Sequence, residues 1–220
     1  MHSSRIAFSL GLTVIIVALT VMFGWIFNIP ILLNFHTGWT EMRFFTAFCF
    51  VCSGGIVLLL SLSPRHLRGI SQLLLPILAF VILLIMVSLL LASIFHVDME
   101  IESLFVLQPR VVLPFNEADL PSLSTMGLFI LFASTTLVHV FSPDMQDVVP
   151  RLRSVGWFLC IAGATALSGY SLGMPFLFFS FPGYSNAMSL PTAVLFVALG
   201  TGYLLSLTPE YPQEDHRNHI

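Results

Sequence analysis

The charged residues of this chain are confined to a few short stretches, and the stretches between them have the length of membrane-spanning helices. A helix rises about 1.5 Å per residue, so roughly 20 apolar residues cross a hydrocarbon core of about 30 Å. With 57% hydrophobic and 9% charged residues, the chain cannot cover the surface of a soluble domain. The sequence therefore predicts an integral membrane protein. Asp, Glu, Lys and Arg are all absent from residues 6–40, 44–64, 69–97, 120–143 and 154–209.

The longest uncharged stretch has room for two helices, because the polar, turn-forming residues 181–186 divide it. The chain is therefore predicted to be an all-α membrane protein with six transmembrane helices. The apolar runs are too long for barrel strands, which need only about 10 residues of alternating character. The predicted spans are residues 6–27, 44–62, 70–95, 124–142, 156–174 and 187–207.

Arginine predicts the orientation, because the chain contains no lysine. Only Arg43 and Arg110 lie on the side opposite the N-terminus, so the positive-inside rule predicts a cytoplasmic N-terminus and C-terminus. The first span is interpreted as a retained signal anchor, since its apolar run is longer than that of a signal peptide. The arginines on the N-terminal side are Arg5, Arg65, Arg68, Arg151, Arg153 and Arg217.

The segments between the spans are too short for an enzyme domain, so residues 1–220 are predicted to form a single membrane domain. On the inner side, residues 64–69 and 143–155 are predicted to be short, turn-like loops. On the outer side, the loop 96–124 is too apolar for a solvated tether and is expected to fold over the helix ends. Residues 208–220 are predicted to be a short cytoplasmic tail.

An internal repeat links the two ends of the sequence. Residues 24–32, GWIFNIPIL, match residues 169–177, GYSLGMPFL, and residues 42–59 match residues 188–205 in the helix that follows. The two offsets differ by one residue, so a whole helix-loop-helix hairpin recurs. A fainter copy begins at Met126 and is aligned with Met42. The repeat predicts three parallel hairpins about an axis along the membrane normal, at about residues 6–62, 70–142 and 156–207.

The repeated residues resemble a known family of membrane regions. The phrase GWIFNIP at residues 24–30 is similar to the N-terminal sensory region of bacterial sensor histidine kinases and diguanylate cyclases. The following helix carries the matching pattern of Met42, Thr46, Ala47, Phe50 and Gly54. The resemblance implies a non-catalytic sensory or signal-input module in a bacterial inner membrane. Because no kinase, cyclase or PAS pattern follows in this sequence, it further implies that the output lies in a separate partner.

The sequence departs from that family at two polar positions, and other functions stay open. Phe45 stands where the family has Asn, and Pro191 stands where it often has His. An accessory or structural subunit of a larger membrane complex is the main alternative. A small transporter or channel is less favoured, since no charged residue lies inside a predicted span. No catalytic motif supports an enzyme, and no basic stripe supports a nucleic-acid partner; lipid and a protein partner are expected.

Two candidate sites follow from the predicted spans. His139 is the one ionisable side chain expected inside the membrane, and a hydrogen bond to a neighbouring hydroxyl such as Thr135 or Thr136, or to an interfacial water, is expected to satisfy it. No cofactor or metal site is predicted: Cys49 and Cys52 lack further ligands, and clustered methionines are more often core residues. A cleft for a ligand or partner is predicted at the outer face, formed by Trp25, Pro30, His36, Trp39, Met42, Met126, Tyr170, Pro175, Tyr184 and Met188.

Overall fold

The fold was analysed in a computed structural model, which describes residues 2–27, 29, 32, 40–62, 64–95, 120–142, 145–180 and 186–207. The described residues contain no strand, and the all-α class is confirmed for them. Five of the helices are long and apolar enough to cross a membrane, while the last, α6, has only 17 residues. The helices are α1 (His2–Ile26), α2 (Phe44–Ser61), α3 (Pro64–Phe95), α4 (Leu123–Phe141), α5 (Met145–Leu172) and α6 (Leu190–Ser206), with a short 3₁₀ helix at Pro175–Phe178.

Two predicted inner loops are wrong, because α3 and α5 begin earlier than the apolar runs suggest. Residues 64–69 belong entirely to α3, and most of residues 143–155 belong to α5. The prolines there suggested turns, but proline fits the first helical turn, where its missing N–H would have no intrahelical partner. Pro64 is the first residue of α3 and fits this explanation, whereas Pro150 lies inside α5, which continues through it. Both helices therefore extend past their uncharged cores. The tail 208–220 and residues 96–119 of the outer loop lie outside the described residues.

The six helices close into a ring of neighbours. The most extensive packing joins α1 to α2, α3 to α4, and α5 to α6, which are the helix pairs that the sequence groups into hairpins. Contacts of α2 with α3, α4 with α5, and α1 with α6 connect these pairs. Large apolar side chains of the long helices, such as Ile16 of α1 and Leu84 of α3, are exposed on the outside. That surface suits contact with lipid.

Glycine permits close crossings within the first and the last helix pair. A Cβ atom on Gly54 of α2 would lie 2.8 Å from the carbonyl oxygen of Gly11 in α1. A Cβ atom on Gly200 of α6 would lie 2.7 Å from the carbonyl oxygen of Gly156 in α5. Such distances leave no room for a larger residue, and small residues of this kind allow helix backbones to approach in membranes. The two crossings use the same positions of the repeated sequence.

The short helices α2, α4 and α6 meet at the centre of the bundle. They have 18, 19 and 17 residues, against 25, 32 and 28 in α1, α3 and α5. One phenylalanine from each short helix joins an aromatic layer, in which Phe50, Phe129 and Phe196 have ring centroids 4.8, 4.9 and 5.0 Å apart. The alignment of Met126 with Met42 would have placed Ser134 in this layer. The contribution of α4 is instead Phe129, which fills the apolar centre that a serine would leave empty.

Candidate functional site

Buried polar side chains are concentrated at one end of the short helices. Among the described residues eight polar side chains are buried, and five of them surround one recess between the first turns of α2, α4 and α6. The recess has a cavity volume of about 10 Å³, on the order of what a single water molecule requires. The buried five are Thr46, Ser122, Thr125, Ser189 and Thr192, and the remaining lining residues are Thr40, Glu41, Arg43, Leu120, Pro121 and Ala187.

Two of the three helix starts are closed by the same serine and threonine pair. Ser122 caps α4: its Oγ accepts a hydrogen bond from the Thr125 N–H at 3.2 Å and lies 2.6 Å from the Thr125 hydroxyl. Ser189 caps α6 in the same way, at 3.4 Å from the Thr192 nitrogen and 2.7 Å from the Thr192 hydroxyl. Serine at this position satisfies an N–H group that the helix itself cannot.

The start of α2 lacks this pair. Its capping position is occupied by Arg43, whose side chain makes no capping hydrogen bond. Thr46 occupies the same position relative to the cap as Thr125 and Thr192, and it is only 2% exposed. Thr46 therefore has no serine at the capping position to pair with. The start of α2 differs in this respect from the starts of α4 and α6.

Aromatic side chains anchor the starts of two short helices to the ends of the preceding long helices. The Trp25 Nε1–H donates to the Met42 carbonyl oxygen at 2.8 Å, and the Tyr170 hydroxyl donates to the Met188 carbonyl oxygen at 2.7 Å. Both methionines directly precede a capping residue. The anchors therefore fix where α2 and α6 enter the recess.

The turns that follow the aromatic anchors are also alike. The Ile29 N–H donates to the Gly24 carbonyl oxygen at 2.9 Å, and the Met174 N–H donates to the Gly169 carbonyl oxygen at 3.0 Å. A Cβ atom on Gly169 would lie 2.7 Å from the Leu177 Cβ, so glycine is needed where the chain folds back. The two phrases matched in the sequence thus form the same local hydrogen bonds.

The aromatic layer lies beneath the recess, towards the interior of the bundle. Phe50, Phe129 and Phe196 each follow a recess threonine by four residues, which is about one helical turn. Their rings are fully buried and in mutual contact. The recess is therefore closed towards the interior of the bundle.

The electrostatic character of the recess follows from the three helix ends. A helix N-terminus carries a partial positive charge of about half a unit and exposes N–H donors, so it favours anionic groups. Arg43 adds a full positive charge to the lining, and Glu41 adds a negative one. The three helix ends therefore favour hydrogen-bond acceptors.

The residues predicted for an outer cleft are placed around the recess rather than in it. Trp25 and Tyr170 act as anchors, Pro175 begins the 3₁₀ helix and is exposed, and none of the predicted residues that the structure describes lines the recess. Pro30, His36, Trp39 and Tyr184 lie outside the described residues. Met42, Met126 and Met188 are buried in the apolar core.

The serines and threonines of the recess were not predicted, although their spacing in the sequence is recognisable. Ser122 and Ser189 each precede a threonine by three residues at the start of a predicted span, which is a helix-capping pattern. The pattern predicts a helix start but does not reveal that the starts converge. Asn186 connects the segments that precede α6 and α4, because its Nδ2–H donates to the Leu120 carbonyl oxygen at 3.0 Å.

His139 does not make the predicted hydrogen bond to a neighbouring threonine. The hydroxyls of Thr135 and Thr136 donate instead to carbonyl oxygens of the preceding turn. The His139 Nδ1 is buried without a partner, as is the hydroxyl of Tyr203, which lies near both threonines. The described residues contain no group of three metal-ligating His, Cys, Asp or Glu side chains.

Comparisons with protein-family profiles, with characterised proteins and with solved structures gave no match to this chain.

Proposed function

We propose that this chain is a non-catalytic, membrane-embedded signal-input module that acts through a separate partner protein. The polar recess carries this proposal, because it gathers most of the described buried hydroxyl groups where three helices begin. Sites for small molecules typically combine apolar walls with a few convergent polar groups. The resemblance of residues 24–30 and of Met42 and Thr46 to bacterial sensory regions favours the same function.

The proposal includes six spans arranged as three hairpins. A 17-residue helix is roughly 26 Å long and lies at the lower limit for a span, but α6 is enclosed by other helices and needs little contact with lipid. The matching hydrogen bonds of Trp25 and Tyr170, and the matching crossings at Gly54 and Gly200, support a repeated hairpin.

The arginine distribution supports an orientation with both termini in the cytoplasm and the recess at the outer face of a bacterial inner membrane. We expect a cysteine placed at position 110 to react with an impermeant reagent from outside, in a background that lacks the native cysteines. A cysteine at position 66 should react only after the membrane is opened. Labelling at 66 in intact cells would contradict this orientation.

Signal input is favoured over transport by the aromatic layer beneath the recess. Phe50, Phe129 and Phe196 fill the centre of the bundle about one turn below the recess threonines. A transported solute would have to displace this packed aromatic layer. A site that binds its ligand from one side and reports occupancy through the helices needs no such path.

The experiment is performed in the cells that produce the protein. We expect deletion of the gene to change membrane histidine phosphorylation or the cyclic diguanylate concentration, the two outputs that the resemblance implies. The double substitution Glu41→Gln, Arg43→Gln neutralises the charged recess lining and should change the same output at an unchanged amount of protein. Thr13→Val is the matched control, because the Thr13 hydroxyl is exposed and bonds only to the Ser9 carbonyl oxygen of its own helix.

Unchanged outputs after deletion would refute the proposal. If the amount of a co-purifying membrane complex then fell with the gene deleted, the accessory-subunit function would replace it. If the recess variant and the Thr13→Val control both behaved as the unmodified protein while deletion had an effect, the input site would lie elsewhere.

A further inference from the structure

The turn that follows α5 carries large apolar side chains that the protein does not cover. Leu172 is 63% exposed, Met174 is 49% exposed and Phe176 is 64% exposed, at or just beyond the C-terminal end of α5. Residues 154–209 contain no charged residue, so no ionised side chain holds this turn in water. Exposed apolar groups of this kind mark surfaces that lipid or another protein covers.

The length of α5 places the turn at the edge of the hydrocarbon core. Arg153 is exposed and is the last charged residue of α5, and an arginine near a helix end extends its head group to the interface. Leu172 follows Arg153 by 19 residues, which at about 1.5 Å per residue is roughly 29 Å. The core is about 30 Å thick. The exposed side chains of the turn therefore lie where the acyl chains meet the headgroups.

Contacts of the turn connect it to the start of α6. Phe178 stacks on Tyr170 with ring centroids 4.6 Å apart, and the Phe178 carbonyl oxygen accepts a hydrogen bond from the Met188 N–H at 2.9 Å. The Tyr170 hydroxyl donates to the Met188 carbonyl oxygen at 2.7 Å. Met188 directly precedes Ser189, which caps α6 and lines the recess. A displacement of the turn is therefore transmitted to the start of α6.

The backbone at Phe179 indicates that the turn is held by its contacts. Phe179 has φ 60° and ψ 30°, a left-handed conformation that a bulky aromatic residue rarely adopts. Its N–H donates to the Phe176 carbonyl oxygen at 3.2 Å, and the Ser180 N–H donates to the Pro175 carbonyl oxygen at 3.1 Å. Such a conformation persists only where the surrounding structure enforces it. The turn is therefore expected to move as a unit.

We infer that this turn binds the lipid of the outer leaflet through Leu172, Met174 and Phe176, and that it transmits changes in lipid packing to the start of α6. Lipid is favoured over a soluble partner, because the turn lies at the depth of the acyl chains and offers no charge for recognition. The inference deepens the proposed function by naming lipid as a partner of the recess end, and its role in signalling rests on that function.

The first test measures lipid contact on the purified full chain in phosphatidylcholine vesicles. A nitroxide spin label is attached to Phe176→Cys in a background that lacks the native cysteines. Its accessibility is compared for oxygen, which concentrates in lipid, and for a nickel chelate, which stays in water. We expect the high ratio of oxygen to chelate accessibility that Ile161→Cys shows, because Ile161 is exposed in the middle of α5. Arg153→Cys is the water-facing control.

The two accessibilities also identify any other cover. A ratio at Phe176→Cys like that at Arg153→Cys would mean that the turn lies in water, and low accessibility to both reagents would mean that protein covers it. Either result overturns the inference. If the background without cysteines does not fold, Phe176→Trp in the unmodified chain replaces the label. Quenching of the added fluorescence by brominated lipid, and not by aqueous iodide, is then the expected result.

The second test measures the transmission to α6. Hydrogen exchange of the amides of residues 188–192 is followed in nanodiscs of dilauroyl or dioleoyl phosphatidylcholine. We expect exchange about fivefold faster in the thinner bilayer, a change that a few ångströms of hydrophobic mismatch suffices to produce. Phe176→Ser should abolish this difference. Phe158→Ser is the matched control, since Phe158 is 54% exposed on the same helix away from the turn and its variant should keep the difference.

Equal exchange in the two bilayers for the unmodified chain would overturn the transmission, as would a difference that survives Phe176→Ser. These results are independent of the proposed function, because the isolated chain is measured without its partner. If the exchange difference is present but the cellular output ignores Phe176→Ser, the lipid contact is supported and its role in signalling is refuted. If deletion of the gene leaves both outputs unchanged, the signalling function fails while the lipid contact stands.

Discussion

The first and last helix pairs carry the same sequence phrases and use them alike, except at the point where their short helices begin. In both pairs an aromatic side chain of the long helix bonds to the carbonyl oxygen of a methionine, Met42 or Met188. In the last pair the next residue is Ser189, which caps its helix, whereas in the first pair it is Arg43, which does not. The difference suggests that the shared residues maintain the scaffold and that the altered residue serves a different purpose.

The largest loss of stability is expected at the helix crossings of Gly54 and Gly200, and it tests whether these two crossings are equivalent. We expect Gly54→Ala and Gly200→Ala each to lower the free energy of unfolding by about 1–3 kcal/mol, because the new Cβ would contact backbone atoms of the neighbouring helix. Gly127→Ala is the matched control: nothing lies within 4 Å of its Cβ position, so it should be neutral or slightly stabilising. Unfolding in mixed detergent micelles gives the comparison. A loss at Gly127 equal to that at Gly200 would refute the steric explanation.

A smaller effect is expected at the aromatic anchors. Tyr170→Phe removes the hydroxyl that donates to the Met188 carbonyl oxygen and also interacts with Thr40, so it should destabilise the chain by about 1 kcal/mol or more. Trp25→Phe removes the corresponding bond to Met42 and also leaves space in the core, so its loss should be larger. The free energy of unfolding in mixed detergent micelles measures both losses. If Tyr170→Phe were as stable as the unmodified chain, the anchors would not be equivalent.

The smallest effect concerns the caps themselves. Ser189→Ala removes the cap of α6 and should cost about 1 kcal/mol. Arg43→Ala at the corresponding position removes no side-chain cap, so it should lose none of this capping energy. Ser171→Ala is the control, since its exposed hydroxyl bonds only to the Leu167 carbonyl oxygen within α5. Equal losses at Ser189 and Arg43 would mean that the two helix starts do not differ in the way their hydrogen bonds indicate.

The sequence predicted the helices well where an apolar run ends at a polar or turn-forming residue. The bounds of α2 and α4 differ from the predicted spans by one residue at each differing end. The starts of α3 and α5 were missed because Arg65, Arg68 and Arg151 interrupt the apolar run without interrupting the helix. Hydropathy measures transfer into lipid, and a helix can continue beyond the lipid.

The candidate site could be predicted only in part, because it depends on which helices converge. The repeated phrases located the end of the bundle at which the recess lies, and they identified Trp25 and Tyr170 as equivalent. They did not identify Thr125, since the weak middle copy was aligned on Met126 and its register was therefore displaced. A single aligned methionine carries less information than the aromatic layer, which requires a phenylalanine from every short helix.

The aromatic layer has an electrical consequence. The 18 residues of α2 span roughly 27 Å, close to the thickness of the hydrocarbon core, so the recess at their start lies near the bilayer boundary. With the interior sealed by Phe50, Phe129 and Phe196, the membrane potential falls across the bundle below the recess. Moving one charge through the full potential involves about 2.3 kcal/mol per 100 mV, but a charged group that approaches the recess from outside the bundle crosses little of it. Occupancy of the recess should therefore be nearly independent of the energised state of the membrane.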